Sequence, residues 1–236
     1  LQCELDFRQR WNRHPERQLL VEHVVLADVA VCQHVVAQAL GIAQRARDQQ
    51  GFSGTLAINL APASLTDPHF PEAMARLVQQ VPWDPARLCF EVTETSVAAD
   101  PDLALEILAR LHMRGFQLSL DDFGTGHSTL ENLSLMPVSE LKVDMNFVRP
   151  GLQDRTAKVI TEQSIALGRE LGMRVVAEGV ETLSHWQWLR KAGCDNAQGY
   201  FISRAIPGHL LRGWSENWCP PASPVYGSGG ACHALP

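Results

Sequence analysis

The run Leu118-Ser119-Leu120-Asp121-Asp122-Phe123-Gly124-Thr125-Gly126 places two adjacent carboxylates where an apolar, strand-like segment gives way to a glycine-rich loop. Carboxylates held that close at the edge of a buried segment repel each other and lose hydration, so they stay ionised only with positive charge between them. The usual source is one divalent cation, or two. Comparable side chains stand at or just past the ends of other short apolar runs: Asn59, Glu91, Lys142, Glu178 and Gln198. Glu91, Asp121 and Asp122 are hard oxygen ligands suited to Mg²⁺ or Mn²⁺, and Asn59 could add a neutral carbonyl oxygen. An adjacent Asp-Asp pair can bridge two metals. Glu178 could accept a proton from an attacking water or add a ligand, and Lys142 offers a fixed cation to a phosphate oxygen or to that water. Together these residues make a kit for metal-assisted hydrolysis of a phosphodiester.

Each residue also has a plainer reading. An Asp-Asp pair before a glycine is often only a turn or helix cap. Lys142 could pair with Asp144, Glu91 with Glu94 could be a surface pair, and Glu181 could be a helix-start acid. Asn59 and Gln198 could satisfy backbone groups. Six coincidences at six strand ends explain the pattern less well than one shared site.

The elements that must position these residues follow from periodicity. Six short strands are expected at 55–60, 87–92, 116–120, 140–143, 174–177 and 197–202, with helices near 69–80, 101–114, 155–171 and 182–192. Asp100-Pro101 and Asp154 read as helix starts, and Gly115, Gly172 and Gly193 as left-handed caps just past helix ends. Strand-helix alternation argues for parallel β-α units. An open sheet would spread the polar residues along a line, whereas a closed barrel converges them on the rim at the strands' C-terminal ends. The expectation is therefore an α/β, TIM-like (β/α) barrel. Its N-terminal part is less regular: Glu4 to Arg8 could be a short strand, Trp11 to Arg17 a turn, and 19–47 reads as helix. Whether the barrel wall is complete at the N-terminus stays open. Residues 1–218 are expected to form the barrel domain, divergent over 1–34, and 219–236 a loose tail rich in Pro, Gly and Ser.

Composition narrows the classes. The chain has 236 residues, 45% of them hydrophobic and 19% charged, enough for a sizeable core. A net charge of -6 without a basic block argues against a groove for polymeric nucleic acid. The six cysteines lack a C-x-x-C pair, which excludes a zinc site or disulfide framework and fits a reducing, cytoplasmic setting. No apolar run is long enough to span a membrane. The glycines of Phe123-Gly124-Thr125-Gly126 lack the third glycine of a dinucleotide fingerprint.

The motifs AINL (57–60), EVTE (91–94), DDFGTG (121–126), LKVD (141–144), VVAEGVE (175–181) and QGY (198–200) resemble, in the same order, those of the EAL-domain family of cyclic di-GMP phosphodiesterases. The resemblance covers about residues 55 to 207 and implies hydrolysis of cyclic di-GMP to linear pGpG in bacterial second-messenger signalling. It further implies that Asn59, Glu91, Asp121 and Asp122 ligate metal, with a two-metal Mg²⁺ or Mn²⁺ centre. Lys142 would contact the catalytic water and Glu178 would lie beside the metals as ligand or base. Gln198 would orient the cluster, Asp144 would lie near the water, and Glu94 and Glu181 would act from behind, Glu94 tying down the loop at 121–128. That loop would gate the site and couple it to the face of a homodimer. Sensory or cyclase domains often accompany this family. The Glu-Ala-Leu triplet that names it, whose glutamate binds metal, is not found here, and Asp6 or Glu4 stands nearest its expected place. That loss gives a second reading, a catalytically weak or inactive receptor for cyclic di-GMP or a protein-interaction module.

Overall fold

The structure is a computed structural model that describes residues 2–6, 17–21, 29–51, 54–125 and 130–218. Eight strands close into a barrel in chain order: β1 (Gln2–Asp6), β2 (Arg17–Val21), β3 (Thr55–Asn59), β4 (Leu88–Thr93), β5 (Gln117–Phe123), β6 (Glu140–Val143), β7 (Arg174–Ala177) and β8 (Asn196–Gln198). Strands β2 to β8 are mutually parallel, and β1 closes the circle by pairing antiparallel with both β2 and β8. The N-terminal wall is therefore complete. The helix expected over 19–47 is corrected by this arrangement: Arg17–Val21 is strand β2, in register with Gln18 opposite Thr55, and the helix α1 runs over Val29–Gln50.

The other helices are α2 (Phe70–Gln79), α3 (Glu94–Ala98), α4 (Pro101–Met113), α5 (Leu130–Leu135), α6 (Met145–Val148), α7 (Arg155–Glu170), α8 (Leu183–Ala192) and α9 (Leu211–Asn217). Their ends are written in side-chain chemistry. Asp100 accepts from Leu103 N at 3.3 Å and Asp154 from Thr156 N at 2.7 Å, each occupying a backbone donor that the first helical turn leaves free. Thr182 does the same for His185 N at 3.1 Å, and Gly193 ends α8 at φ +84°. On α4 the buried residues Ala104, Ile107, Leu108 and Leu111 form one stripe facing the barrel.

Alternation along the strands separates two interiors. Leu88, Phe90, Val92, Leu118, Leu120, Leu141 and Val143 point outward into the main core beneath the helices, where Phe90 meets Phe70 and Phe116 edge-on at 6.1 and 5.2 Å. The intervening residues point inward. There Ala57 and Cys89, paired in register, form a small apolar contact of their own. The next inward position on the same strands is Asn59 beside Glu91, so the barrel interior turns polar toward its C-terminal rim.

Two strand ends differ from the sequence expectation. β8 stops at Gln198 rather than 202, because Phe201 leaves the sheet to pack on Trp186 at 6.1 Å. β5 runs on through Asp121 and Asp122 to Phe123, so the acidic pair belongs to the strand itself.

Candidate metal centre

A regular strand would aim Asp121 and Asp122 at opposite faces. The chain avoids this with a bulge. Leu120 pairs with Leu141 and Phe123 with Val143, so three steps along β5 match two along β6. The extra residue is taken up at Asp122, at φ +57°, a left-handed conformation that Asp tolerates better than most side chains. The twist turns Asp122 back beside its neighbour. One carboxylate oxygen each from Asp121, Asp122 and Glu178 now lie within 4.8 Å of one another. Glu178, the first residue past β7, is held beside β6 by its N–H, which donates to Val143 O at 3.1 Å.

Lys142, on β6 and only 1% exposed, stands at the centre. Its Nζ lies 2.7 Å from Glu178 Oε1, 3.1 Å from Asp121 Oδ1 and 3.2 Å from Glu91 Oε1. Burial alone would lower the Lys142 pKa, but Asp121, Glu178 and Glu91 more than reverse that and hold it well above its usual value. One ammonium does not neutralise what surrounds it. Burial pushes the Glu91 carboxyl up to about 8; Lys142 opposes the rise, while Asp121, Glu178 and Glu140 add to it. Asp122 is raised to about 6, first by burial and then by Asp121, Asp144 and Glu178. Glu178 is raised by burial, against the pull of Lys142. Among the described residues, Glu91, Asp121 and Glu178 share the Lys142 ammonium, and Asp122 and Asp144 crowd beside them. Such a field calls for additional positive charge.

The donor set fits a divalent cation. Both Glu91 oxygens are buried without a hydrogen-bond donor, Lys142 facing Oε1 as a charge only. Asn59 Nδ2 is also buried without a hydrogen-bond partner, and turning that amide over would present its carbonyl oxygen instead.

The remaining candidates take supporting places. Asp144 caps α6 by accepting from Asn146 N at 2.8 Å while leaning toward Asp122. Glu94, buried at the start of α3, accepts from Gly124 N at 3.3 Å and so holds the backbone just past the acidic pair. Gln198 ends β8, and its carbonyl accepts from Val180 N at 3.0 Å. Glu181 faces outward to Arg149, Nε to Oε1 3.0 Å. Antiparallel β1 sets Glu4 opposite Gln198, near the rim, but Asp6 opposite Asn196, toward the floor of the barrel. Residues 126–129, which complete the loop expected to gate the site, and the tail 219–236 lie outside the described residues. Sequence reasoning passed over Arg149 and Phe147. Nothing in their spacing marks them, since only the fold brings them against the loops after β5 and β7.

The fold and the rim together define a TIM-like barrel protein with a carboxylate-rich centre at the C-terminal ends of its strands. The model of the EAL domain matches residues 18–205, and the chain belongs to the EAL domain family. It is similar to the cyclic di-GMP phosphodiesterase RocR of Pseudomonas aeruginosa, 37% identical over 169 residues that cover 71% of this chain and 43% of RocR. The EAL domain of DcpA from Mycobacterium smegmatis superposes with a TM-score of 0.78 at 31% identity, covering 90% of this chain and 92% of that one. Klebsiella pneumoniae BlrP1, solved as a manganese and cyclic di-GMP complex, gives a TM-score of 0.73 at 28% identity over 86% of this chain and 55% of BlrP1. The chain spans about a quarter of the length of other curated relatives, 22% to 27% of four of them. Among the described residues no helix is long and apolar enough to cross a membrane.

Proposed function

We propose that this chain is a phosphodiesterase that hydrolyses cyclic di-GMP to linear pGpG with Mg²⁺ or Mn²⁺, in a two-metal centre ligated by Asn59, Glu91, Asp121, Asp122 and Glu178. The observation that carries the reading is the convergence of three carboxylates, Glu91, Asp121 and Glu178, on one buried lysine at the barrel rim, with Asp122 beside two of them. When bound, the ions supply Lewis-acid charge that lowers the pKa of a water and offsets phosphate charge. The protein's own groups do the rest. Lys142, permanently charged and immobilised by three carboxylates, is aimed at the water or at a non-bridging phosphate oxygen. Glu178, with a raised pKa, is suited to take the water's proton. Glu94, Asp144, Glu181 and Gln198 hold these groups in place. The place of the missing ligand falls to Glu4, whose backbone is level with Gln198, in preference to Asp6.

A homodimer, attached sensory or cyclase domains and a cytoplasmic setting belong to the same proposal, and the greater length of the curated relatives supports the attached domains. The second reading, a nucleotide receptor without turnover, is favoured by one observation: β2, the strand beside Asn59, carries no carboxylate over Arg17–Val21. One experiment separates them. The purified chain is incubated with cyclic di-GMP and Mg²⁺ or Mn²⁺, and pGpG is followed by chromatography. Product supports the enzyme; micromolar binding without product supports the receptor; neither supports an interaction module. Glu178→Ala is expected to abolish turnover and leave nucleotide binding largely intact, and a variant with full activity removes Glu178 from the mechanism.

A further inference from the structure

The acidic cluster is drawn from the end of β5 and from the residue just past β7, and the chain that follows each of them rests on the same short helix. α6 follows β6, which carries Lys142, through the capping residue Asp144. On one side Gly124, the second residue past Asp122, lies so close to Phe147 that a Cβ there would fall 2.9 Å from Phe147 Cε2. On the other side Gly179, next to Glu178, lies so close to α6 that a Cβ would fall 2.5 Å from Met145 Cβ and 3.2 Å from Arg149 Nε. Glycine is required at both places for room as well as for the positive φ, +106° at Gly124 and +69° at Gly179. Arg149 then closes the second contact by its ion pair to Glu181. The helix is held from behind as well. Gly151, just beyond it, is wedged against the Trp188 ring, and Trp188 Nε1 donates to Glu162 Oε1 of α7 at 2.9 Å.

We infer that α6 is the common bed that sets the distance between the Asp121-Asp122 and Glu178 halves of the centre, with Phe147 and Arg149 as positioning residues. The inference deepens the metal-centre reading and rests on it. A ligand set drawn from two loops binds a cation well only while their separation is held within a few tenths of an ångström, as outer partners of metal ligands generally ensure. The Arg149–Glu181 pair is half exposed, 44% and 40%, so its own ion-pair energy is small. Its role is to fix where the chain leaves Glu178.

Charge alone predicts the opposite sign. Removing a cation beside an acidic centre strengthens the field for a divalent ion, so a merely electrostatic Arg149 gives tighter binding when neutralised. The test is Mn²⁺ titration of the full chain by calorimetry, for wild type, Arg149→Met, Arg149→Lys and Phe147→Leu, with Arg110→Met of the remote Glu72 pair as control. Thermal midpoints establish that each variant is folded. Arg149→Met and Phe147→Leu are expected to weaken Mn²⁺ binding about five- to tenfold, the lower end of losses from outer partners, and to lower kcat similarly with KM within about twofold. Arg149→Lys restores most of the affinity, the swapped pair Arg149→Glu with Glu181→Arg restores part, and Arg110→Met changes nothing. Binding by Arg149→Met that is unchanged or tighter, in a folded protein, overturns the positioning role. If wild type binds no Mn²⁺, the metal-centre reading itself fails and this inference falls with it.

Discussion

Replacing Lys142 by methionine removes the cation that faces Glu91, Asp121 and Glu178 while keeping most of the side chain's volume. Breaking a buried ion pair from one side costs about 3–5 kcal/mol, because the abandoned charge stays desolvated. Here the carboxylates have an outlet in proton uptake, so the loss depends on pH. The folded-state pKa of Glu91 is already raised from its ordinary 4.5 to about 8. Between those values the folded protein holds a proton that the unfolded chain releases, and stability therefore falls as pH rises through that window. Lys142 opposes the rise at both Glu91 and Glu178. Without it both folded-state values climb further, and the window of falling stability extends above that of the wild type. Each additional proton retained steepens the decline by about 1.4 kcal/mol per pH unit. Urea unfolding of the metal-free protein, followed by tryptophan fluorescence in EDTA, is the assay. Lys142→Met is expected to be about 3 kcal/mol less stable than wild type at about pH 7, the deficit growing by about 1 kcal/mol per unit as pH rises above about 8, where wild-type Glu91 has released its proton and the variant still holds it. Saturating Mn²⁺ shrinks the deficit by restoring positive charge to the same oxygens. A deficit under about 1 kcal/mol, or one that is flat across pH, would refute the account of Lys142 as the charge that holds this cluster together.

Two further outcomes follow from the site. Asp122→Asn keeps a side chain that tolerates φ +57° but removes one carboxylate from the crowd, so the metal-free protein should be unfolded no more easily than wild type while Mn²⁺ affinity falls about tenfold or more. Calorimetric titration and a thermal melt check both halves, and unchanged affinity removes Asp122 from the ligand set. Glu4→Gln should weaken Mn²⁺ binding about tenfold by calorimetric titration, and undiminished affinity removes Glu4 from the ligand set.

The barrel was legible because its signals are local. Runs such as Leu118-Ser119-Leu120 show the two-residue period, Asp100 and Asp154 announce helices through donors that any helix start leaves open, and glycine marks where helices end. What failed were cases where a local signal had a competing partner at a distance. Leu19-Leu20-Val21 merges with the helical pattern that follows, and five residues are too few to declare a strand without β3 beside them. Tyr200-Phe201-Ile202 has strand composition, but Phe201 finds its burial against Trp186 instead of in the sheet.

The site shows the same division more sharply. Residue type and spacing were enough to gather Glu91, Asp121, Lys142 and Glu178, since each lies close to the C-terminal end of a strand and parallel strands in a barrel end on one rim. The pairing of Asp121 with Asp122 was not deducible from alternation, which sends neighbours to opposite faces. It depends on the mismatch of β5 against β6, a property of two strands that neither contains alone. Nor does the sequence contain the relation between Arg149 and Glu181, which exists only once β6 and β7 lie side by side. Chemistry that belongs to single residues can be read from a chain. Chemistry that depends on the separation of two loops resides in what both loops touch, and here that is α6: an acidic pair turned by a bulge and a glutamate seated on glycine meet because Phe147 and Arg149 fix where their loops lie.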